Sequence, residues 1–216
     1  LGRRLAGKLV VWLVCLDNDL QDNLAPEMRG YRAPFVRRRG DKGEWEVVTR
    51  HLSPDRWHAS DMDSRRLLAS FCVPGALADR AFSACDYLIG RARPECSAAD
   101  ATLVIVTVPR PEQLGDDRTG RAAAGSLEEP DLPDRRIAES CRRHGVPLVV
   151  GREFLTPDDY KRREGVHWSA RGHLGMAALC EGLYAAFREG TLNARIPAAG
   201  TEYGRGARRP AAPEFT

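Results

Sequence analysis

A chain of 216 residues, 43% of them hydrophobic, is long enough for one domain with a core of its own, and a net charge of +3 is small for that length. Only three of its 33 basic residues are lysine (Lys8, Lys42, Lys161), an imbalance that reads as coding bias rather than as a nucleic-acid surface. No apolar run reaches about 18 residues, so no membrane span is expected, and six cysteines without close paired spacing argue against a zinc ribbon or a Cys-x-x-Cys redox site.

Taken in order, residues 1–8 read as the tail of a helix stopped by Gly7. Residues 9–16 (LVVWLVCL) are continuously apolar, as in a strand covered on both faces of a parallel sheet, and the run ends abruptly in Asp17-Asn18-Asp19-Leu20. Ligand groups gather at the carboxyl ends of such strands, which makes the Asn18 amide a candidate donor. Over residues 21–60 periodicity fades into a basic, aromatic insertion with Arg37-Arg38-Arg39, Trp45 and a short hairpin at 45–49. It is either an excursion over the crevice that contacts substrate or a disordered or self-packed insertion. His51 and His58, seven apart in a loop, are not a metal-ligand pattern, and no metal or cofactor is expected.

Residues 61–71 and 74–93 have helical periodicity, with Leu67, Leu68, Phe71, Leu77, Ala81, Phe82, Cys85, Leu88 and Ile89 on the buried faces. Residues 101–109 form the clearest strand, β-branched and ended by Pro109. After a polar loop at 110–130, residues 131–144 read as a helix capped by Asp131, with Arg142, Arg143 and His144 in the last turn, where the helix dipole favours positive charge. Gly145 stops it before a third strand at 146–150. Strands alternating with helices imply a right-handed, parallel α/β arrangement. Cys15 and Cys180 read as small core residues, and Cys72, Cys85 and Cys96 as free thiols.

The run Glu164-Gly165-Val166-His167-Trp168-Ser169-Ala170-Arg171-Gly172-His173 carries the chemistry. A carboxylate three residues before a histidine can fix its tautomer, leaving His167 as a general base oriented by Glu164. Ser169 is placed to cap a final amphipathic helix in which Leu174, Ala177, Ala178, Leu179, Leu183, Tyr184 and Phe187 recur toward Gly190. His173, one turn in, reads as a packing residue, and Trp168 either walls the crevice or anchors the helix. Beyond Gly190 the Ala-, Arg-, Gly- and Pro-rich tail is expected to be mobile.

Asn18-Asp19-Leu20 after a hydrophobic strand, together with Glu164-Gly165-Val166-His167-Trp168-Ser169 and Gly172-His173 before a last helix, resembles the SGNH (GDSL) hydrolases. The resemblance implies a flavodoxin-like three-layer α/β/α domain over residues 1–189 with an insertion at 21–60. It also implies serine-type acyl transfer on a small-molecule or glycan ester, with His167 as base, Glu164 as its orienting acid and Asn18 in the oxyanion hole. Glu164 stands where the family usually has aspartate. None of the nine serines follows Gly-Asp, so the nucleophile block is missing and the domain is N-terminally incomplete. The chain by itself is therefore expected to be inactive, and its first strand to self-associate through an open edge. Other readings in the same frame are a degenerate, non-catalytic binding module and an O-acetyltransferase acting on a polysaccharide. Nothing in the first residues has the pattern of a signal peptide, and the compartment stays open between the bacterial cytoplasm and export.

Overall fold

The computed structural model describes residues 2–16, 18–24, 27–28, 31–32, 34–40, 43–49, 70–114, 128–161, 167–192 and 196. The centre is a three-stranded parallel sheet of β1 (Lys8–Cys15), β6 (Ala101–Val108) and β7 (Leu148–Val149), with β6 in the middle. Lys8 to Cys15 pair in register with Ala101 to Val108, and Ile105 and Val106 with Leu148 and Val149. The continuous apolarity of 9–16 and 101–109 thus marks two adjacent strands. The third is shorter than the apolar run at 146–150, because Gly151 turns the chain away into a 3-10 turn.

Helices cover both faces. On one, α3 (Ala76–Ala98) and α4 (Leu132–His144) pack Phe82, Cys85, Ile89, Ile137 and Cys141 against Val14, Leu103, Ile105 and Leu148. On the other, α5 (Ala170–Arg188) sets Leu183 and Ala186 on Val104 and Val106, with Leu9, Val11 and Leu13 beside them. Strand alternation does the sorting: odd residues of β6 face α3 and α4, and even residues face α5. Val104, Ile105 and Val106 are all 0% exposed. Burial of this kind stabilises by about 1.5–3 kcal/mol per side chain, so β6 is the backbone of the core.

Several elements differ from what periodicity predicts. The helix expected over 74–93 runs on to Ala98 with Pro94 inside it; Arg91 and Glu95 pair one turn apart across that stretch at 3.0 Å, and Cys96 anchors its end in the core. Leu77 is 44% exposed rather than buried. The last helix buries only a narrow stripe (Gly172, Met176, Leu183, Ala186), leaving Leu174 65% and Tyr184 52% exposed, because among the described residues no second long helix shares its face of the three-stranded sheet. Asp131 does precede α4, but its side chain makes no capping bond and instead takes the Arg135 guanidinium at 2.6 Å. Leu192 and Ile196, past Gly190, are buried in the α5 cluster; the rest of the tail lies outside the described residues. So does the helix expected at 61–71, apart from Ser70 and the fully buried Phe71.

Within the insertion, β2 (Glu27–Met28) pairs antiparallel with β3 (Tyr31–Arg32), and the hairpin expected at 45–49 is instead one arm of a wider antiparallel hairpin, β4 (Phe35–Arg38) with β5 (Trp45–Val48). Trp45 Nε1 and an Arg38 guanidinium nitrogen both donate to Ser83 Oγ at 3.1 Å, and the Arg38 guanidinium stacks 5.0 Å from the Trp45 ring centroid. With the Val36 N–H on the Asn23 carbonyl at 2.7 Å, these bonds set the hairpin along the flank of α3. A cavity of about 440 Å³ separates it from Trp12, Leu88 and Ala92. This hairpin of the insertion is thus held against the flank of α3. His51 and His58 lie outside the described residues. None of the six cysteines forms a disulfide; Cys15 and Cys180 are half-buried, at the margin of the core. No helix among the described residues is long and apolar enough to cross a membrane.

Candidate functional site at the carboxyl edge of the sheet

β1 ends where Asp19 captures the chain: its Oδ2 accepts the Cys15 N–H at 2.8 Å, and the Asn18 carbonyl accepts the Gln21 and Asp22 amides at 2.9 and 2.8 Å, winding the one-turn helix α2 (Asp19–Asp22). Asn18 therefore sits on the turn at the carboxyl end of β1. One hydrogen of its side-chain amide goes to Asp22 Oδ2 at 2.6 Å, which leaves the other for a ligand.

His167 is positioned from the other side of the chain. The Tyr160 hydroxyl donates to the Pro109 carbonyl just past the end of β6, and Tyr160 forms an antiparallel bridge with Trp168. The Lys161 N–H donates to the His167 carbonyl, and the Ser169 N–H to the Asp159 carbonyl, both at 2.8 Å. Ser169 caps α5 as expected, its Oγ accepting the Gly172 N–H at 3.3 Å. Below this bridge the Asp159 carboxylate takes the Thr156 N–H and hydroxyl at 2.7 and 2.8 Å through one oxygen, and Arg171 Nε at 3.1 Å through the other. The Tyr160–Trp168 bridge is thus fixed above the end of β6, and the exposed His167 side chain stands beside it. Trp168 anchors rather than stands free: it packs into the cluster of Val108, Leu155, Tyr160 and Met176, which Cys15 at the end of β1 also joins. His173 meets it edge-on, with ring centroids 5.5 Å apart, a packing role as expected.

The structure therefore brings the turn carrying Asn18 and the segment carrying His167 to one end of the sheet, linked through a shared apolar cluster. Glu164 lies outside the described residues. His144 is held elsewhere, its Nε2 3.0 Å from Asp86 Oδ1 and its ring against Gly90, in keeping with a structural role at the end of α4. A thiol nucleophile finds little support: burial pushes Cys72, Cys85 and Cys141 up to about 12 and raises Cys96 and Cys180 too, so none of these is a thiolate near neutrality. Among the described residues no group of three or more His, Cys, Asp or Glu could hold a metal ion.

Sequence reasoning missed a buried polar knot at the same end. Asp134, 3% exposed, accepts the Thr107 hydroxyl at 2.6 Å; Thr107 Oγ1 in turn accepts the Gly151 N–H at 3.1 Å. Arg152 lies 3.2 Å from Asp134 Oδ2 through Nε, without the alignment of a hydrogen bond, and its terminal nitrogen ties the Gln113 and Pro130 carbonyls. Burial outweighs Thr107 and Arg152 and lifts the Asp134 carboxyl to about 6, with Asp131 and Glu153 adding to the rise. The folded state therefore binds this proton more tightly than the unfolded chain does. Its contribution to stability is greatest at low pH and is lost as pH rises from about 4 through about 6. Two pK units are worth about 3 kcal/mol, so urea unfolding of Asp134→Asn, which keeps the bond from Thr107, should gain on wild type by that order between pH 4 and pH 7. Parallel pH profiles for the two proteins would refute this. No single-residue pattern points to the knot, because its members are spread over four segments.

No protein-family profile, curated protein or solved structure matches this chain.

Proposed function

We propose that this chain is the carboxyl-terminal part of an SGNH-type acyl-ester hydrolase, with His167 as general base, Glu164 orienting it and Asn18 donating to the oxyanion. The supporting observation is the common cluster that joins Cys15, three residues before Asn18, to Trp168, the residue after His167, at the carboxyl end of a parallel sheet. Strand order and helix placement agree with the second half of a doubly wound sheet: two successive crossover helices on one face, the last helix on the other. On this reading a serine outside these residues attacks the ester carbonyl and His167 takes its proton. The acyl-enzyme forms as the alcohol leaves with that proton, and water, activated by the same imidazole, releases the acid.

The test is p-nitrophenyl ester turnover by the polypeptide expressed together with its upstream coding sequence. Asn18→Ala should lower the rate by about 10² to 10³, the usual cost of one oxyanion donor. Equal rates for wild type and His167→Ala would remove the histidine from the mechanism.

One observation favours a second reading, a degenerate module that binds an acylated or glycan ligand without turning it over. The Asp22 carboxylate, 2.6 Å from the Asn18 amide, opposes negative charge developing beside that donor. An in-frame Gly-Asp-Ser run upstream would speak for the hydrolase, and its absence for the module. Acyl transfer to a sugar hydroxyl, the third reading, is separated from hydrolysis by product analysis with and without a polysaccharide acceptor.

A further inference from the structure

Among the described residues the edge of β1 away from β6 is unpaired. The Leu16 N–H donates to the Val108 carbonyl at 3.0 Å, so even-numbered residues of β1 turn their backbone groups toward β6. Odd-numbered residues turn theirs the other way. Of these, Cys15 has its N–H closed off by the Asp19 carboxylate. Leu9, Val11 and Leu13 have no partner strand among the described residues. Their side chains, with those of Val10 and Trp12, are only half-buried, whereas Val104, Ile105 and Val106 on the neighbouring strand are fully buried. A long, apolar, unpaired strand edge is a template for another strand.

We propose that the strand it takes is β1 of a second copy of this chain, antiparallel across a two-fold axis at Val11. Three observations select this partner and register. The edge offers donors at Leu9, Val11 and Leu13 only, since Asp19 ends it at Cys15. Pairing Val11 with itself and Leu9 with Leu13 uses all three, about six new backbone bonds at two per facing pair. The strand is also polarised in charge, with Arg4 and the exposed Lys8 at its start and Asp19 and Asp22 just past its end. Antiparallel self-pairing brings the basic start of each copy to the acidic end of the other, whereas parallel self-pairing would set like charges together. An isologous contact of this kind closes on itself and yields a dimer with a continuous six-stranded sheet. The inference does not rest on the hydrolase reading and competes with it for this edge, since a strand preceding β1 in a doubly wound sheet would lie there; its test does not involve catalysis, so the two fail separately.

The test is sedimentation velocity of the 216-residue protein, followed by amide exchange. A reversible dimer is expected, with exchange at the Leu9, Val11 and Leu13 amides slowing as concentration rises. Val11→Pro removes an outward N–H that β6 does not use, and should weaken the dimer at least about tenfold. Should that variant fold poorly, Lys8→Glu at an exposed position leaves the core untouched, sets like charges across the pair and should weaken the dimer several-fold, more so at low salt. A protein monomeric at every concentration overturns the proposal and leaves the edge to a different polypeptide. Association indifferent to both substitutions, or rapid exchange at the three amides within the dimer, overturns it equally.

Discussion

Gly172→Ala should destabilise the protein by about 3 kcal/mol and loosen the segment that carries His167. A β-carbon there would lie 2.1 Å from the Asp159 carbonyl oxygen and 3.1 Å from Trp168 Cβ. The obstacle is backbone, and that backbone is pinned: the same carbonyl accepts the Ser169 amide, and the Asp159 carboxylate holds Thr156 and Arg171. The first turn of α5 would have to lift, breaking the Ser169 cap and parting Trp168 from Tyr160. Gly175 and Gly182 on the same helix provide the control, since nothing lies within 4 Å of a β-carbon at either. Alanine at those positions should stabilise by about 0.5–1 kcal/mol, as expected from helix propensity alone. Urea unfolding of the three variants checks this; a Gly172→Ala protein as stable as the Gly175→Ala protein would show that the first turn of α5 does not depend on close approach.

Ile105→Ala should cost more, about 3–5 kcal/mol. The side chain is 0% exposed on the only strand among the described residues with a neighbour on each side, and it packs in the cluster that joins both crossover helices to the sheet. Its backbone is pinned as well, since the Ile105 amide donates to the Pro147 carbonyl at 3.0 Å, so the strand cannot shift to fill the space. Leu174→Ala, which removes the same number of carbons from a side chain that is 65% exposed, should change stability by no more than about 0.5 kcal/mol. A loss below about 1 kcal/mol for Ile105→Ala would mean that the two helices can close over the gap.

What could be read from the residues, and what could not, divides along the range of the interaction. β1 and β6 were visible because burial on both faces demands an unbroken apolar run, and α5 because Ser169 and the spacing behind it are local signals. The burial of α5 was overestimated: periodicity reports which residues share a side of a helix, but not how wide a neighbour they meet, and a narrow sheet leaves Leu174 and Tyr184 in solvent. Asp131 has a capping residue's chemistry yet was drawn off by Arg135, one turn ahead. At the candidate site, Asn18 and His167 fall at the sheet end that strand direction implies. The Tyr160 hydroxyl bond beneath His167 and the Asp134 knot depend on contacts spanning 18 to 51 positions. The Thr156 to Asp159 turn, by contrast, is a local Thr-Pro-Asp-Asp motif with proline at its first helical position and was within reach.

The cysteines in the helical layer give this fold a built-in chemical recorder. Cys85 on α3 and Cys141 on α4 share one apolar interface, where burial resists ionisation of both thiols and the Cys141 sulfur adds to the rise at Cys85. An alkylating reagent or oxidant in neutral solution meets neither until the two helices part, so the pace at which these thiols become modified counts the openings of that layer. Oxidative damage to this layer would therefore wait on transient separation of α3 from α4, and irreversible capping of either sulfur would hold the layer apart.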